Sequence, residues 1–328
     1  MFTVNDLNYG ISTDTKGFET ATKFASVQYW RPEYRDLFAE EFHNFLPYAP
    51  VGWLQYMDTY VSTKHFNWLT ETVRSWEWVD DRYSHVFATD KEDTFFVFHT
   101  GKGHIYQWAK EEGDIECLFV HRLTINPEGK ITFVQTMFDS VSLYSIINYT
   151  VPTWYHDWED PRIFPGRYPD WVPQKPLQHD TMESLQKQVD SSLYFFRESL
   201  SYISEEIMPH LTDNFAFEIP YAPHNMTRVF PAGPAYHAQA AWLRKINVEE
   251  EIGPLHFYKT NDPHFYISEF DCYCYTYWAY IYGHYYNHEI SFVELNDEGR
   301  VNYLIETFNP VQKFNSTAVS IPSIPQFF

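Results

Sequence analysis

The chain has 328 residues, enough for one large domain or for two of about 150. Aromatic residues make up 20% and only 12 residues are glycine, a composition that suits aromatic-lined cores and pockets and excludes a linker protein or a disordered tail. The formal net charge of −21 repels phosphate backbones and anionic lipid, so no nucleic acid and no membrane is expected as a partner.

In chain order, MFTVNDLNYG opens without a basic segment followed by an apolar one, so no signal peptide is expected. No apolar run reaches the roughly 18 residues of a membrane span. Helical spacing predicts a long helix over 17–42, a turn at Leu46–Pro50 (LPYAP) and a second helix over 52–75. Strands are expected over 77–88, 93–101, 116–125 and 130–139. Then VPTWYHDWEDPRIFPGRYPDWVPQKP carries Pro152, Pro161, Pro165, Pro169, Pro173 and Pro176, a density that forbids helix and central strand and predicts a stiff extended linker. The order then repeats: a helix over 181–211, a turn at Ile219–Pro223 (IPYAP), a helix over 235–246, and strands over 254–260, 263–282, 287–295 and 300–309. Helices followed by strands give an α+β class. The expected form is a curved antiparallel sheet packed on N-terminal helices, a cone-shaped barrel with a pocket at its open end. Cys117, Cys272 and Cys274 form no Cys-x-x-Cys pair and read as reduced strand residues of a cytoplasmic protein, with no metal expected.

The repetition extends to the residues. INPEGKITF from Ile125 returns as LNDEGRVNY from Leu295, Gly129 and Gly299 being 170 apart (299 − 129). LPYAP returns as IPYAP after 173 positions (219 − 46), Asn67–Leu69 as Ala241–Leu243 after 174 (241 − 67), and Asp93 as Asp262 after 169 (262 − 93). Ordered echoes at a nearly constant offset predict a duplicated domain: residues 1–152, a linker over 153–180, and 181–328. A fused pair would keep the interface of a homodimer, so an intramolecular pseudo-dimer is expected, with further homodimerisation open.

No P-loop, GxGxxG, GxSxG or HExxH occurs, which removes most nucleotide, hydrolase and metalloprotease chemistry. In GRVNYLIETFN, strand alternation groups Glu306 with Leu304 and Phe308 on a largely apolar face. A carboxyl buried there would have a raised pKa and could serve as a general acid or base; on the rim it would be an ordinary solvated glutamate. His65 lies three residues before Trp68 on the predicted second helix, either a proton carrier or a structural histidine. Tyr273, Tyr275 and Tyr277 share one strand face and read either as core or as a stacking wall for a planar ligand.

The chain resembles two fused copies of the phenazine biosynthesis A/B proteins, members of the superfamily of ketosteroid isomerases and nuclear transport factor 2. The resemblance rests on Trp76-Glu77-Trp78, with His65 eleven residues before it, and on Asp262-Pro263-His264-Phe265 followed by Glu269. It extends to Gly283, Tyr285, Asn287 and His288, to Glu294-Leu295 with Asp297, Gly299 and Arg300, and to Glu306, Asn309 and Pro322. The first copy has Thr136, Asp139 and Pro152 at the last three positions, and the second has Gln239 at the histidine position. The resemblance implies a cone-shaped α+β fold and cofactor-free, acid–base-assisted condensation of amino-ketone carboxylic acids. It implies Glu306 and His65 as the functional acid and histidine. Around them Trp68, Trp242, His288, Asn309 and Thr136, with the three tyrosines, become candidate contacts to a small planar aromatic or cyclohexenone-type metabolite. A non-catalytic carrier of an aromatic metabolite is the alternative, and an isomerase, dehydratase or cyclase on the same fold is another. Because Thr136 stands where the second copy has Glu306, the two pockets are expected to be unequal.

Overall fold

The computed structural model describes residues 1–108, 111–147, 149, 173–199, 207–222, 227–233, 236, 247–278, 281–316 and 321–323. It divides into two compact units. One holds Gly10–Pro152 with Asn309–Phe314 and Val319–Phe328; the other holds Met1–Tyr9, Thr153–Phe308 and Asn315–Ala318.

In the N-terminal unit, helix α1 (Lys16–Ser26) begins at Thr15, whose side chain accepts the Phe18 amide, and it buries Ala21 and Phe24. The helix predicted to run to residue 42 stops at Ser26. Pro32 opens a short 3-10 turn, Pro32–Leu37, and strand β1 (Phe38–Phe45) follows. Proline cannot continue the helix, and the aromatic-rich segment beyond it suits a strand. After the two-residue strand β2 (Tyr56–Met57), helix α2 (Thr59–Thr72) is capped by Asp58, which accepts the Val61 amide. At its far end Arg31 donates to the carbonyls of Thr70 and Val73, both at 3.2 Å, satisfying acceptors that a helix C-terminus leaves open. Strands β3 (Val73–Val79), β4 (His85–Ala88), β5 (Thr94–Trp108), β6 (Glu111–Ile125) and β7 (Ile131–Phe138) complete the unit. They form one sheet in the order β2-β1-β7-β6-β5-β3, with β4 paired to β5.

The C-terminal unit repeats the plan. Helix α3 (Met182–Ser199) precedes β8 (Leu211–Glu218), β9 (Val229–Pro231), β10 (Asn247–Ile252), β11 (His256–Lys259), β12 (Phe265–Trp278), β13 (Ile281–Leu295) and β14 (Val301–Glu306). Its sheet runs β10-β12-β13-β14-β8-β9, with β11 paired to β12. Most of the predicted helix over 235–246 and most of the predicted linker over 153–180 lie outside the described residues.

Two expectations are corrected. Each sheet is mixed, because β1 pairs parallel with β7, and β8 parallel with β14. Each strand order runs from one edge strand to another, so the sheets are open rather than closed barrels. The α+β class and the tandem pair of cone-type domains hold.

The duplication is visible in hydrogen bonds and register. Asn126 accepts the Lys130 amide and Asn296 the Arg300 amide at matching hairpins, where Gly129 and Gly299 have φ of 81° and 78°, a region that favours glycine. His121 faces Thr136 across β6–β7, and Ser291 faces Glu306 across β13–β14. The chain ends are exchanged between the units. Val4 and Leu7 enter the C-terminal core with Leu185, Val189 and Leu304, and Asn309 donates to the Pro47 carbonyl in the N-terminal unit at 3.0 Å.

Candidate functional site

The N-terminal unit contains an apolar cavity whose empty volume, open mouth included, is about 580 Å³. Strand β3 contributes Trp76 and Trp78, the segment after α1 contributes Tyr29 and Trp30, and Trp53 comes from the turn before α2. Helix α2 adds His65 and Leu69, and the sheet adds Ile115, Phe119, Thr136 and Phe138. The Trp76 ring lies against β5 because Gly101 and Gly103 leave it room. A Cβ on either would stand 2.3 or 2.4 Å from that ring. Trp30 meets Trp76 edge-on, with centroids 5.4 Å apart. Trp78 stacks flat on His99 at 3.6 Å and donates its indole N–H to the Val27 carbonyl at 2.9 Å, which fixes this side of the wall.

Behind the wall runs a buried polar row. Tyr29 and Thr136 both line the cavity in front of it. Thr136 Oγ1 lies 2.9 Å from His121 Nδ1, His121 Nε2 lies 3.0 Å from His99 Nε2, and His99 Nδ1 lies 3.3 Å from the Ala25 carbonyl. Burial pushes His99 down to about 3. Burial and the neighbouring His99 hold His121 well below the ordinary histidine range, so both rings are neutral near pH 7. His65, only 4% exposed, is likewise pushed down to about 3 by burial. Burial also raises the Tyr29 phenol. The cavity therefore has no ionised lining group near neutrality among the described residues.

In the C-terminal unit, Glu306 ends β14, half-buried, two residues after the core residue Leu304. Tyr236 is pushed up by burial and by the charge of Glu306, which sets the two groups in one electrostatic environment. A smaller space of about 290 Å³, mouth included, is lined by Tyr236, Leu304, Phe215 and His210, and Glu306 is not part of its lining.

The sequence-predicted residues therefore separate. His65 and Thr136 meet in the N-terminal cavity. Trp68 packs behind it, 5.4 Å from Trp53 and 5.6 Å from His65. Tyr273 is exposed and Tyr275 half-exposed, while Cys272, Cys274 and Thr276 take the buried face of β12, so these two tyrosines stand on the outer face and not in a cavity. The side chain of Tyr277 and the whole of Trp242 lie outside the described residues. His288 donates to Asp271 at 2.7 Å and to Glu269 at 3.1 Å. Burial acts to lower its pKa, but the two carboxylates outweigh burial and raise it. Asn309 uses one amide end on Pro47 and accepts the Gln312 amide at 3.0 Å with the other, so it is the cap of the helix Pro310–Ser316 rather than an open ligand contact.

Sequence reasoning missed Tyr29, Trp30, Trp53 and the His99–His121 pair. The alternation Cys117, Phe119, His121 was available in β6. Pairing it with Thr136 required the β6–β7 register, and pairing it with His99 required the β5–β6 register.

No curated protein sequence matches the chain. Among solved structures, a phenazine biosynthesis-related protein from Pseudomonas aeruginosa is 19% identical, covering 46% of this chain and 93% of its own, with a TM-score of 0.36. The BvnE pinacolase of Penicillium brevicompactum is 14% identical over 44% of this chain and 99% of its own, with a TM-score of 0.32. AusH of Aspergillus nidulans is 16% identical over 38% and 84%, with a TM-score of 0.32. A family model, described as phenazine biosynthesis protein A/B, matches residues 227–326. Over those residues the chain carries the sequence pattern of the phenazine biosynthesis A/B family, the family indicated by the motifs around Glu306.

Proposed function

We propose that the chain is a biosynthetic enzyme of the phenazine A/B type that binds a neutral, planar, carbonyl- or amine-bearing intermediate and promotes its condensation or cyclisation. The observation that carries this reading is the N-terminal cavity, walled by Trp30, Trp53, Trp76 and Trp78 with His65 and Thr136 at its edge. Aromatic walls hold a flat ligand and exclude water, which is how orientation and desolvation accelerate condensation between groups that already react slowly.

Glu306 is the candidate acid/base, in the C-terminal unit. In imine formation an amine nitrogen bonds to a carbonyl carbon, the carbonyl oxygen leaves as water, and the nitrogen loses its protons. A carboxyl can protonate the departing hydroxyl and take up a proton from nitrogen, work worth roughly 10²- to 10⁴-fold in rate. Its half-buried position in the electrostatic environment of Tyr236 supports this role.

The test uses a cyclic amino ketone that condenses with itself, followed by product absorbance. Wild type should accelerate the reaction, and Glu306→Gln should be slower by at least about tenfold while still binding the ketone. Full turnover in Glu306→Gln removes Glu306 from the chemistry. The carrier reading is favoured by one observation, the absence of an ionised group in the lining of the N-terminal cavity among the described residues. Tight binding with no acceleration by wild type would establish it.

A further inference from the structure

The buried row behind the N-terminal cavity has only one self-consistent set of protons. A backbone carbonyl only accepts, so His99 holds its proton on Nδ1 and gives it to Ala25. Neutral His99 then has a bare Nε2, which must accept from His121 Nε2–H. Neutral His121 in turn has a bare Nδ1, which must accept from the Thr136 hydroxyl. The single hydrogen of Thr136 is thereby committed to His121. The row is a one-way wire from Thr136 through His121 and His99 to Ala25.

We propose that this wire fixes the cavity wall at Thr136 as a hydrogen-bond acceptor, so that the site selects a neutral planar ligand presenting an O–H or N–H donor to that wall. The Thr136 hydrogen points along the wire, and only lone pairs remain there for a ligand. The opposite need stands nearby: the buried indole nitrogens of Trp30 and Trp76, donors only, have no acceptor among the described residues. The ligand class that answers both is a hydroxyl- or amine-substituted planar ring that also carries a carbonyl oxygen. The C-terminal unit lacks the wire. Across the matching register it has Phe270, Ser291 and Glu306 where the N-terminal unit has His99, His121 and Thr136. A carboxyl stands there at the register position that Thr136 takes in the N-terminal unit.

This inference rests on the cavity being a ligand site, and the experiment separates the two. Binding of 2-naphthol, 2-fluoronaphthalene and naphthalene is followed by quenching of the cavity tryptophans. The naphthol and its fluoro analogue are nearly the same size, and only the naphthol donates. Wild type should prefer the naphthol by about tenfold, the worth of one hydrogen bond. Thr136→Ser should keep that preference and Thr136→Val should lose it while still binding naphthalene. His99→Phe frees the wire to reverse and should also abolish the preference. Equal affinity of wild type for the naphthol and the fluoro analogue overturns the inference and leaves the cavity as a binding site; no quenching by any of the three overturns the cavity reading itself. Nitrogen chemical shifts of the histidine rings give a second readout in the wild-type protein alone. His99 protonated on Nδ1 and His121 on Nε2 are expected, and the reverse pair of tautomers overturns the inference.

Discussion

At position 136 the N-terminal copy has a threonine bonded to a histidine, and at 306 the C-terminal copy has a glutamate opposite a serine. His65 gives a direct check on how dry the N-terminal cavity wall is. Its folded value is depressed to about 3 from the ordinary 6.5, so the folded state binds fewer protons than the unfolded one. The stability that its neutral form contributes is fully present above about pH 6.5 and is lost as pH falls toward 3. Between pH 7.5 and pH 5 that loss is about 2 kcal/mol. His65→Gln, the residue present as Gln239 in the second copy, removes the titration. Chemical denaturation at both pH values should show the variant gaining about 2 kcal/mol relative to wild type at pH 5; an unchanged difference means that His65 is not held neutral. Much at this scale was legible in the sequence. The acid at 306 and its replacement by Thr136 in the first copy could be read from the sequence. The tyrosines of β12 were not assignable, because alternation separates two faces without saying which one is covered.

At the scale of elements, the sheet supports the cavity through small residues. Gly101 and Gly103 on β5 admit the Trp76 ring to the wall. Gly101→Ala should push Trp76 off β5 and destabilise the unit by about 1–3 kcal/mol, the usual range for overpacking. It should also weaken tryptophan quenching by naphthalene, and an unchanged stability together with unchanged quenching would mean that the ring is not packed there. The errors of the element prediction have physical causes. An aromatic-rich run such as FAEEFHNF satisfies both helical and strand spacing over a few residues, and only the break at Pro32 separates α1 from β1. Parallel pairing of β1 with β7 joins strands far apart in sequence, and no local pattern encodes it.

At the scale of the molecule, the duplication was legible because four ordered echoes kept a nearly constant offset, and the family model over residues 227–326 agrees with the motifs read there. The exchange of the termini was not legible, since it depends on which core Val4 and Leu7 enter. Both are buried in the C-terminal core, at 0% and 7% exposure. Removing residues 1–9 should therefore lower the stability of that unit by about 3 kcal/mol, the approximate worth of two buried aliphatic side chains. Denaturation of the shortened chain checks this, and an unchanged midpoint would mean that the N-terminal segment contributes nothing to that core. The central claim is that two diverged copies give one ligand cavity, in the N-terminal unit, and a separate acid at Glu306. Titration calorimetry with 2-naphthol tests it most directly. The account predicts one strong site per chain, retained in Glu306→Gln; two equal and independent sites per chain would contradict it.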